Sequence, residues 1–121
     1  MIGSSHPVLA IVGEDVILPC HLKPSVNMAK GSVEWNRPDL KPDYVHIFQQ
    51  GIVHGDVLNP MYIKRTSLFH DELYHGNISL KLSKVKLSDE AKFTCKAPGL
   101  PTQPSTVIQL LVGKFMVNTW M

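Results

Sequence analysis

The stretch LSDEAKFTC, residues 87–95, decides the fold of this chain. It places an acidic residue, a small residue and an aromatic residue in order before Cys95. A cysteine in such a segment can be a reactive thiol, a metal ligand or half of a disulfide. Residues 91–95 alternate apolar and polar, which is typical of a β-strand that turns one face towards a core. The remaining sequence has to distinguish between the three kinds of cysteine.

The composition indicates one folded domain. The chain has 121 residues, of which 44% are hydrophobic and 18% charged, so it is long enough for a single core. The formal net charge of +2 and the scattered lysines do not form the basic surface that nucleic acid requires, and we expect no nucleic-acid partner. No apolar run is long enough to span a membrane, and the start MIGSSHP does not resemble a signal peptide. We expect any such segments to lie outside this sequence.

The two cysteines, Cys20 and Cys95, favour a disulfide. A zinc site would need two further ligands, and the six histidines show no spacing that places two on one face. A disulfide closing so long a loop would restrict the unfolded chain by about 4.5 kcal/mol in the chain-entropy model, and it implies an oxidising compartment. A catalytic cysteine that the fold brings next to a histidine remains open at this point.

Alternating segments separated by turn-forming residues predict an all-β fold. Both cysteines fall on the apolar faces of such segments, and turn-rich stretches such as 37–43 and 97–104 separate the runs. Short strands at these intervals are typical of a β-sandwich or barrel. The positions expected to face the core are Val16, Leu18, Cys20, Leu22, Val33, Trp35, Ile78, Leu80, Leu82, Ala91, Phe93, Cys95, Ile108, Leu110 and Val112.

The order Cys20, Trp35, Cys95, with the motif D-x-A-x-aromatic-x-C before the last, resembles the immunoglobulin fold. HPVLAIVGEDVILPCHL (6–22), YIKRTSLFHD (62–71) and LSKVKLSDEAKFTC (82–95) are also similar to the first domain of the butyrophilin and myelin oligodendrocyte glycoprotein family. The resemblance covers nearly the whole chain. It implies a V-set β-sandwich of two antiparallel sheets over residues 1–113, with one inter-sheet disulfide.

The resemblance also implies structural roles for individual residues. Cys20 and Cys95 are expected to be joined across the sheets and buried against Trp35. Arg65 holds the position of the arginine that opens strand D, so we expect it to pair with Asp89 at the bottom of the sandwich. The aromatic two residues before the second cysteine is usually a tyrosine whose hydroxyl bonds the backbone, and here it is Phe93. That corner hydrogen bond is therefore expected to be missing.

The sequence lacks the motifs of antigen-receptor variable domains and of enzymes. The F-G-x-G bulge of strand G and the glutamine after the strand C tryptophan, both features of antigen-receptor variable domains, are replaced by TVIQLLV (106–112) and WNRP (35–38). No nucleophile motif, paired-carboxylate spacing or phosphate-binding glycine loop occurs. We therefore expect no enzyme, no catalytic residues, no cofactor and no metal site.

Asn77 begins the only glycosylation sequon, Asn77-Ile78-Ser79, and an extracellular location would favour its use. Residues 114–121 are expected to lead towards a membrane stalk or to be residues added for expression. They are too short and too polar to anchor the chain.

The resemblance implies a function in recognition at the cell surface. We expect the extracellular domain of a single-pass, butyrophilin-like membrane glycoprotein that binds a protein counter-receptor and modulates lymphocyte responses. Homophilic adhesion, with a second copy as partner, is the alternative. Both would use the face of strands G, F, C and C′, whose outward positions we expect to be Glu34, Asn36, His46, Phe48, Thr94, Lys96 and Gln109.

Overall fold

The chain forms two β-sheets that face each other across one apolar core. A computed structural model describes residues 1–114. Its strands are β1 Ile2–Gly3, β2 Val8–Ile11, β3 Val16–Leu18, β4 Cys20–His21, β5 Val33–Asn36, β6 Tyr44–Gln49, β7 Ile52–Val53, β8 Thr66–Leu68, β9 Leu80–Leu82, β10 Ala91–Lys96 and β11 Thr106–Gly113. Three short 3₁₀ helices span Pro60–Tyr62, His70–His75 and Leu87–Asp89.

The front sheet has six strands in the order β2-β11-β10-β5-β6-β7. The back sheet has the order β3-β9-β8, and β1 pairs with β4 beside it. All pairings are antiparallel except that of β2 with β11, which is parallel. The predicted all-β sandwich of V-set type is confirmed. It differs in detail from two antiparallel sheets, because β1 and β4 form a separate short pair and β2 makes the front sheet mixed.

The core lies where the inward residues of both sheets meet. Cys20 and Cys95 form a disulfide between the back and front sheets, and Cys95 stands directly opposite Trp35 in the β10–β5 pairing. The Trp35 indole Nε1 donates a hydrogen bond of 2.9 Å to the Ile78 carbonyl of the back half. Both cysteines and Trp35 are fully buried, which confirms the predicted disulfide and its packing partner.

Alternation in β10 and β11 places polar side chains on the outside of the front sheet. Phe93, Ile108 and Leu110 have no exposed surface, whereas their neighbours Lys92 and Gln109 are exposed. Burial of apolar area of this kind stabilises the fold by about 25 cal/mol per Å². The same alternation gives the front sheet an outer face that no other sheet or helix of residues 1–114 covers.

Candidate functional site: the outer face of the front sheet

The register of β11, β10 and β5 brings four of the predicted contact residues to one face. Lys96 lies directly opposite Glu34 in the β10–β5 pairing. Thr94 lies opposite Val107, and Gln109 opposite Lys92, in the β10–β11 pairing. We call this surface the front face; it is lined by the outward residues of β2, β11, β10, β5 and β6. Glu34, Thr94, Lys96 and Gln109 therefore remain candidates for partner binding.

Asn36 lies on the same face but is wrongly predicted as a contact residue, because only 2% of it is exposed. Its Nδ2 donates to Glu34 Oε1 at 2.9 Å and to Asp43 Oδ2 at 3.4 Å. The flanking side chains thus cover Asn36, and its role is to hold two carboxylates at the surface.

The prediction that His46 and Phe48 point outward is also wrong. His46 is 3% exposed and Phe48 is 1% exposed. The cause is an irregularity in the β5–β6 register: Trp35 faces His46, but the next residue, Asn36, faces Tyr44, so the intervening residue is extra. A β-bulge of this kind reverses the phase of alternation beyond it.

The bulge determines which residues of β6 reach the front face. Phe48 pairs with the inward Val33, whereas Ile47 pairs with the outward Glu34. Tyr44, Ile47 and Gln49 thus replace His46 and Phe48 on this surface. The bulge depends on pairing with a distant strand, so no local signal in residues 44–49 could have revealed it.

The front face also carries apolar residues that the sequence prediction did not include. Leu9 is 74% exposed and Val107 is 53% exposed. Leu9 stands beside Leu111 through the parallel β2–β11 pairing. The alternation of TVIQLLV could have identified Val107 and Leu111, whereas Leu9 joins them only through the topology.

His46 is buried beneath the front sheet as a neutral ring. The Thr66 hydroxyl donates to the Val45 carbonyl at 3.0 Å, so the 3.0 Å contact between His46 Nδ1 and Thr66 Oγ1 requires the proton to be on Nδ1. Nε2 then has no hydrogen-bond partner within residues 1–114. Burial, and secondly the nearby His70, lower the pKa of His46 from 6.5 to about 4.

Arg65 and Asp89 form an ion pair at the base of the front sheet, as the sequence predicts. Arg65 Nη1 donates to Asp89 Oδ1 at 3.2 Å, and Nη2 donates to Oδ2. The Asp89 side chain is fully buried and that of Arg65 is 14% exposed. The guanidinium also donates to the carbonyls of Met61, Ser83 and Lys84. This pair ties the 3₁₀ helix before β10 to the start of β8.

Tyr62 and Arg37 occupy the corner where a tyrosine at position 93 is missing. The Tyr62 hydroxyl accepts a 2.7 Å hydrogen bond from Arg37 Nη1, which also donates to the Ser88 carbonyl at 2.8 Å. The Tyr62 ring meets Phe93 edge-on at 6.1 Å. The predicted loss of the corner hydroxyl at position 93 is real, and a hydroxyl from a different segment stands nearby.

The charges of this corner are matched. Hydrogen bonding to Asp39 raises the pKa of Arg37, and the same contact lowers the pKa of the Asp39 carboxyl. Burial raises the pKa of Tyr62 to about 12, so the hydroxyl stays protonated at neutral pH. Nothing in the isolated motifs RPD or PMY identified these residues, since their contact is made only in the folded chain.

Asn77 lies outside the front sheet, between the 3₁₀ helix His70–His75 and β9. It forms an isolated bridge with His21. Its Oδ1 accepts a hydrogen bond from the Ser79 N–H at 3.1 Å, and its Nδ2 makes a weak 3.5 Å contact with Glu72 Oε1. The side chain is partly exposed, and its bridge to His21 of β4, which lies beside the back sheet, places the sequon away from the front face.

Residues 1–114 contain no group of three or more side chains that could hold a metal ion. The described part of the chain also contains no helix with the length and apolar character needed to cross a bilayer. The expectation for residues 114–121 concerns a segment that, from residue 115 onward, lies outside the described residues.

The chain belongs to the immunoglobulin V-set family, because the immunoglobulin V-set domain model matches residues 3–112. It is 37% identical to human myelin-oligodendrocyte glycoprotein over 95 residues, which cover 78% of this chain and 38% of that protein. The crystal structure of bovine butyrophilin superposes with a TM-score of 0.82 at 28% identity, over 93% of this chain and 53% of that chain.

A chain in the crystal structure of ICOS in complex with ICOS-L and an anti-ICOS-L VNAR domain is also similar. Its TM-score is 0.74 at 25% identity, over 88% of this chain and 53% of that chain. This chain thus spans only part of the proteins it resembles. Relationship to butyrophilin and myelin-oligodendrocyte glycoprotein implies a recognition domain of the cell surface, in immunity or adhesion.

Proposed function

We propose that this chain is the extracellular recognition domain of a butyrophilin-like cell-surface glycoprotein. It binds a protein counter-receptor through the front face and thereby modulates lymphocyte responses. The single-pass anchor of such a protein would lie outside the described residues.

The observation that carries this proposal is the mixed character of the front face. Leu9 and Val107 expose large apolar surfaces there. Lys92 and Lys96 stand on β10 beside them, with no carboxylate within 4 Å among the described residues. Exposed apolar side chains interleaved with polar and charged groups are typical of a non-obligate protein interface.

The back sheet supplies a contrast. Lys81 on β9 approaches Asp15 at 3.8 Å, so its charge is partly compensated. A glycan on Asn77 would cover this side and leave the front face bare. The loop after β10 contains Pro98, Pro101 and Pro104, which restrict its backbone and lower the cost of ordering it on binding.

Similarity to a chain in the ICOS and ICOS-L complex supports a protein as the kind of partner. A fluorescent multimer of the domain, glycosylated in mammalian cells, should stain a subset of lymphocytes. Lys96→Glu should reduce staining by about tenfold or more through charge reversal at the front face. Lys81→Glu on the back sheet is the matched control and should stain like the parent; loss from this control, or none from Lys96→Glu, would place the site elsewhere.

Homophilic adhesion is the second candidate, and the distribution of charge favours it. Lysines stand on β10, whereas Glu34 and Asp43 present carboxylates at the β5 side of the same face. Two copies related by a two-fold axis could place each lysine row over the other copy's carboxylates. Sedimentation at rising concentration should then show that the parent chain forms a dimer. The single variant Lys96→Glu should be monomeric, and the double variant Glu34→Lys, Lys96→Glu should form the dimer again. A parent chain that stays monomeric at millimolar concentration would exclude this candidate.

A further inference from the structure

A pit on the front face lies between β5, β6 and the residues after β7. It has a volume of about 180 Å³ and is lined by Glu34, Tyr44, Ile47, Gln49, His54 and Val57. This volume equals that of about six water molecules, which corresponds to one long side chain. The pit is placed by the bulge in β6, because that irregularity brings Ile47 opposite Glu34.

The pit has an apolar floor and one charged wall. Ile47 is 6% exposed and Val57 is 43% exposed, so a stem entering the pit would contact aliphatic carbon. Glu34 is partly buried and forms no ion pair in the described part of the chain, although Lys96 stands opposite it across the strands. A carboxylate at the wall of an apolar pit attracts a cation more strongly than one in open water.

Two carboxylates and a buried amide oxygen lie beside this wall. One Asn36 amide group donates to both Glu34 and Asp43. The Oδ1 of Asn36 is buried and has no donor within residues 1–114. Two carboxylates that share a single amide, next to an acceptor without a donor, concentrate negative potential at this end of the pit.

We propose that this pit receives an arginine or lysine side chain of the protein partner, with Glu34 as the residue that selects the positive charge. The inference rests on the proposed use of the front face. Long basic side chains match both parts of the pit, since their methylene stems pack on apolar surface while their charged ends stay near water. The Tyr44 ring in the wall adds a surface that attracts cations.

The chemistry can be tested without knowing the partner. The full chain, labelled with ¹⁵N, is titrated with acetyl-arginine methylamide and, as a neutral isostere, with acetyl-citrulline methylamide. Saturating shifts should appear at the amides of Glu34, Ile47, His54 and Val57 with a Kd of about 1–10 mM. Citrulline, or arginine added to Glu34→Gln, should give shifts at least about tenfold weaker. Equal shifts with both compounds, or none at these residues, would overturn the inference.

Multimer staining separates this inference from the proposed function. Glu34→Gln keeps an oxygen for the Asn36 amide and removes only the charge, so it should fold and lose about tenfold in staining. Asp71→Asn, an exposed acid in the 3₁₀ helix His70–His75, is the control. Full staining by Glu34→Gln together with loss by Lys96→Glu would refute the pit and leave the proposed function intact. If neither Glu34→Gln nor Lys96→Glu reduces staining, the proposed function is refuted. The titration alone would then show whether the pit binds a basic side chain.

Discussion

Asp89 is a fully buried carboxylate whose partners are all specified by the fold. It accepts from Arg65 and from the Lys86 N–H, the latter at 2.8 Å. Asp89→Ala leaves the guanidinium of Arg65 without its counter-ion in a mostly buried position. We expect a loss of about 3–5 kcal/mol in the free energy of unfolding, measured by urea denaturation.

The control for Asp89 is Asp15→Ala. Asp15 pairs with Lys81 at 3.8 Å and accepts an exposed hydrogen bond of 3.0 Å from the Lys84 N–H. About half of each paired side chain is exposed, so about 1–2 kcal/mol or less should be lost. Equal midpoints for Asp89→Ala and the parent would mean that the buried pair contributes nothing to stability.

Tyr62 is expected to compensate for the phenylalanine at position 93. Tyr62→Phe removes the acceptor of a 2.7 Å hydrogen bond from Arg37, and a bond to a charged donor stabilises by about 1.5–3 kcal/mol. Thermal and urea unfolding should therefore both shift to lower midpoints. The control is Tyr74→Phe, at a side chain that is 61% exposed, which should unfold at the same midpoints as the parent. If Tyr62→Phe also unfolds like the parent, the Tyr62 hydroxyl contributes nothing to stability.

His46 makes the stability of the domain depend on pH. Its pKa of about 4 in the folded state lies below its ordinary 6.5, so the unfolded chain binds more protons between these values. Stability is therefore complete above pH 6.5 and falls as the pH drops towards 4, by about 3 kcal/mol from this group.

The contribution of His46 can be isolated with His46→Asn, whose side-chain amide can still donate to Thr66. The difference in unfolding free energy between pH 7.5 and pH 4 should be about 3 kcal/mol smaller in this variant than in the parent. His6→Asn, at an exposed position, should leave the difference unchanged. An identical pH dependence in parent and His46→Asn would assign the acid sensitivity to other groups.

At the scale of elements, the bulge in β6 determines what the front face presents. Phe48 is 1% exposed and contacts His70 edge-on at 5.5 Å between ring centres. Phe48→Ala should therefore cost about 3–5 kcal/mol of stability. Gln49→Ala changes an exposed neighbour and should stay within about 0.5 kcal/mol of the parent. If β6 alternated strictly and had no bulge, Phe48 would point outward and Phe48→Ala would leave the stability unchanged.

The orientation of side chains was predicted correctly on strands whose apolar and polar residues alternate regularly. Cys20, Trp35 and Cys95 lie on strands with regular alternation, and each inward side chain packs against the opposite sheet. Arg65 and Asp89 could be paired because a known fold supplies the geometry that joins them. His46, Phe48 and Asn36 were misplaced because their environment depends on the pairing of β5 with β6 and on covering side chains. The pit beside Glu34 has the same origin and could not be read from residues 44–57.

In the part of the chain that the structure describes, the front face carries exposed lysines and large apolar side chains, and the opposite side carries the sequon. Asn77 is the predicted acceptor, and Asn77→Gln should remove a glycan that peptide N-glycosidase F releases from the secreted parent. Asn77→Gln is a better test than Ser79→Ala, because the Ser79 hydroxyl accepts a 3.0 Å hydrogen bond from the Cys20 N–H. An identical mass before and after enzyme treatment of the parent would mean that the sequon is unused.

Placing a glycan on each face in turn tests which face meets the partner. Lys92→Asn creates a sequon with Thr94 on the front face, and Lys81→Asn creates one with Ser83 on the back sheet. Both lysines point away from the core, so both variants should melt within a few degrees of the parent. A glycan bulkier than any side chain should abolish multimer staining when it stands among Val107, Lys96 and Gln109, whereas the back-sheet glycan should leave it unchanged. Staining that survives the front glycan but not the back one would move recognition to β3, β9 and β8, and survival of both would place it at the loops that join the sheets.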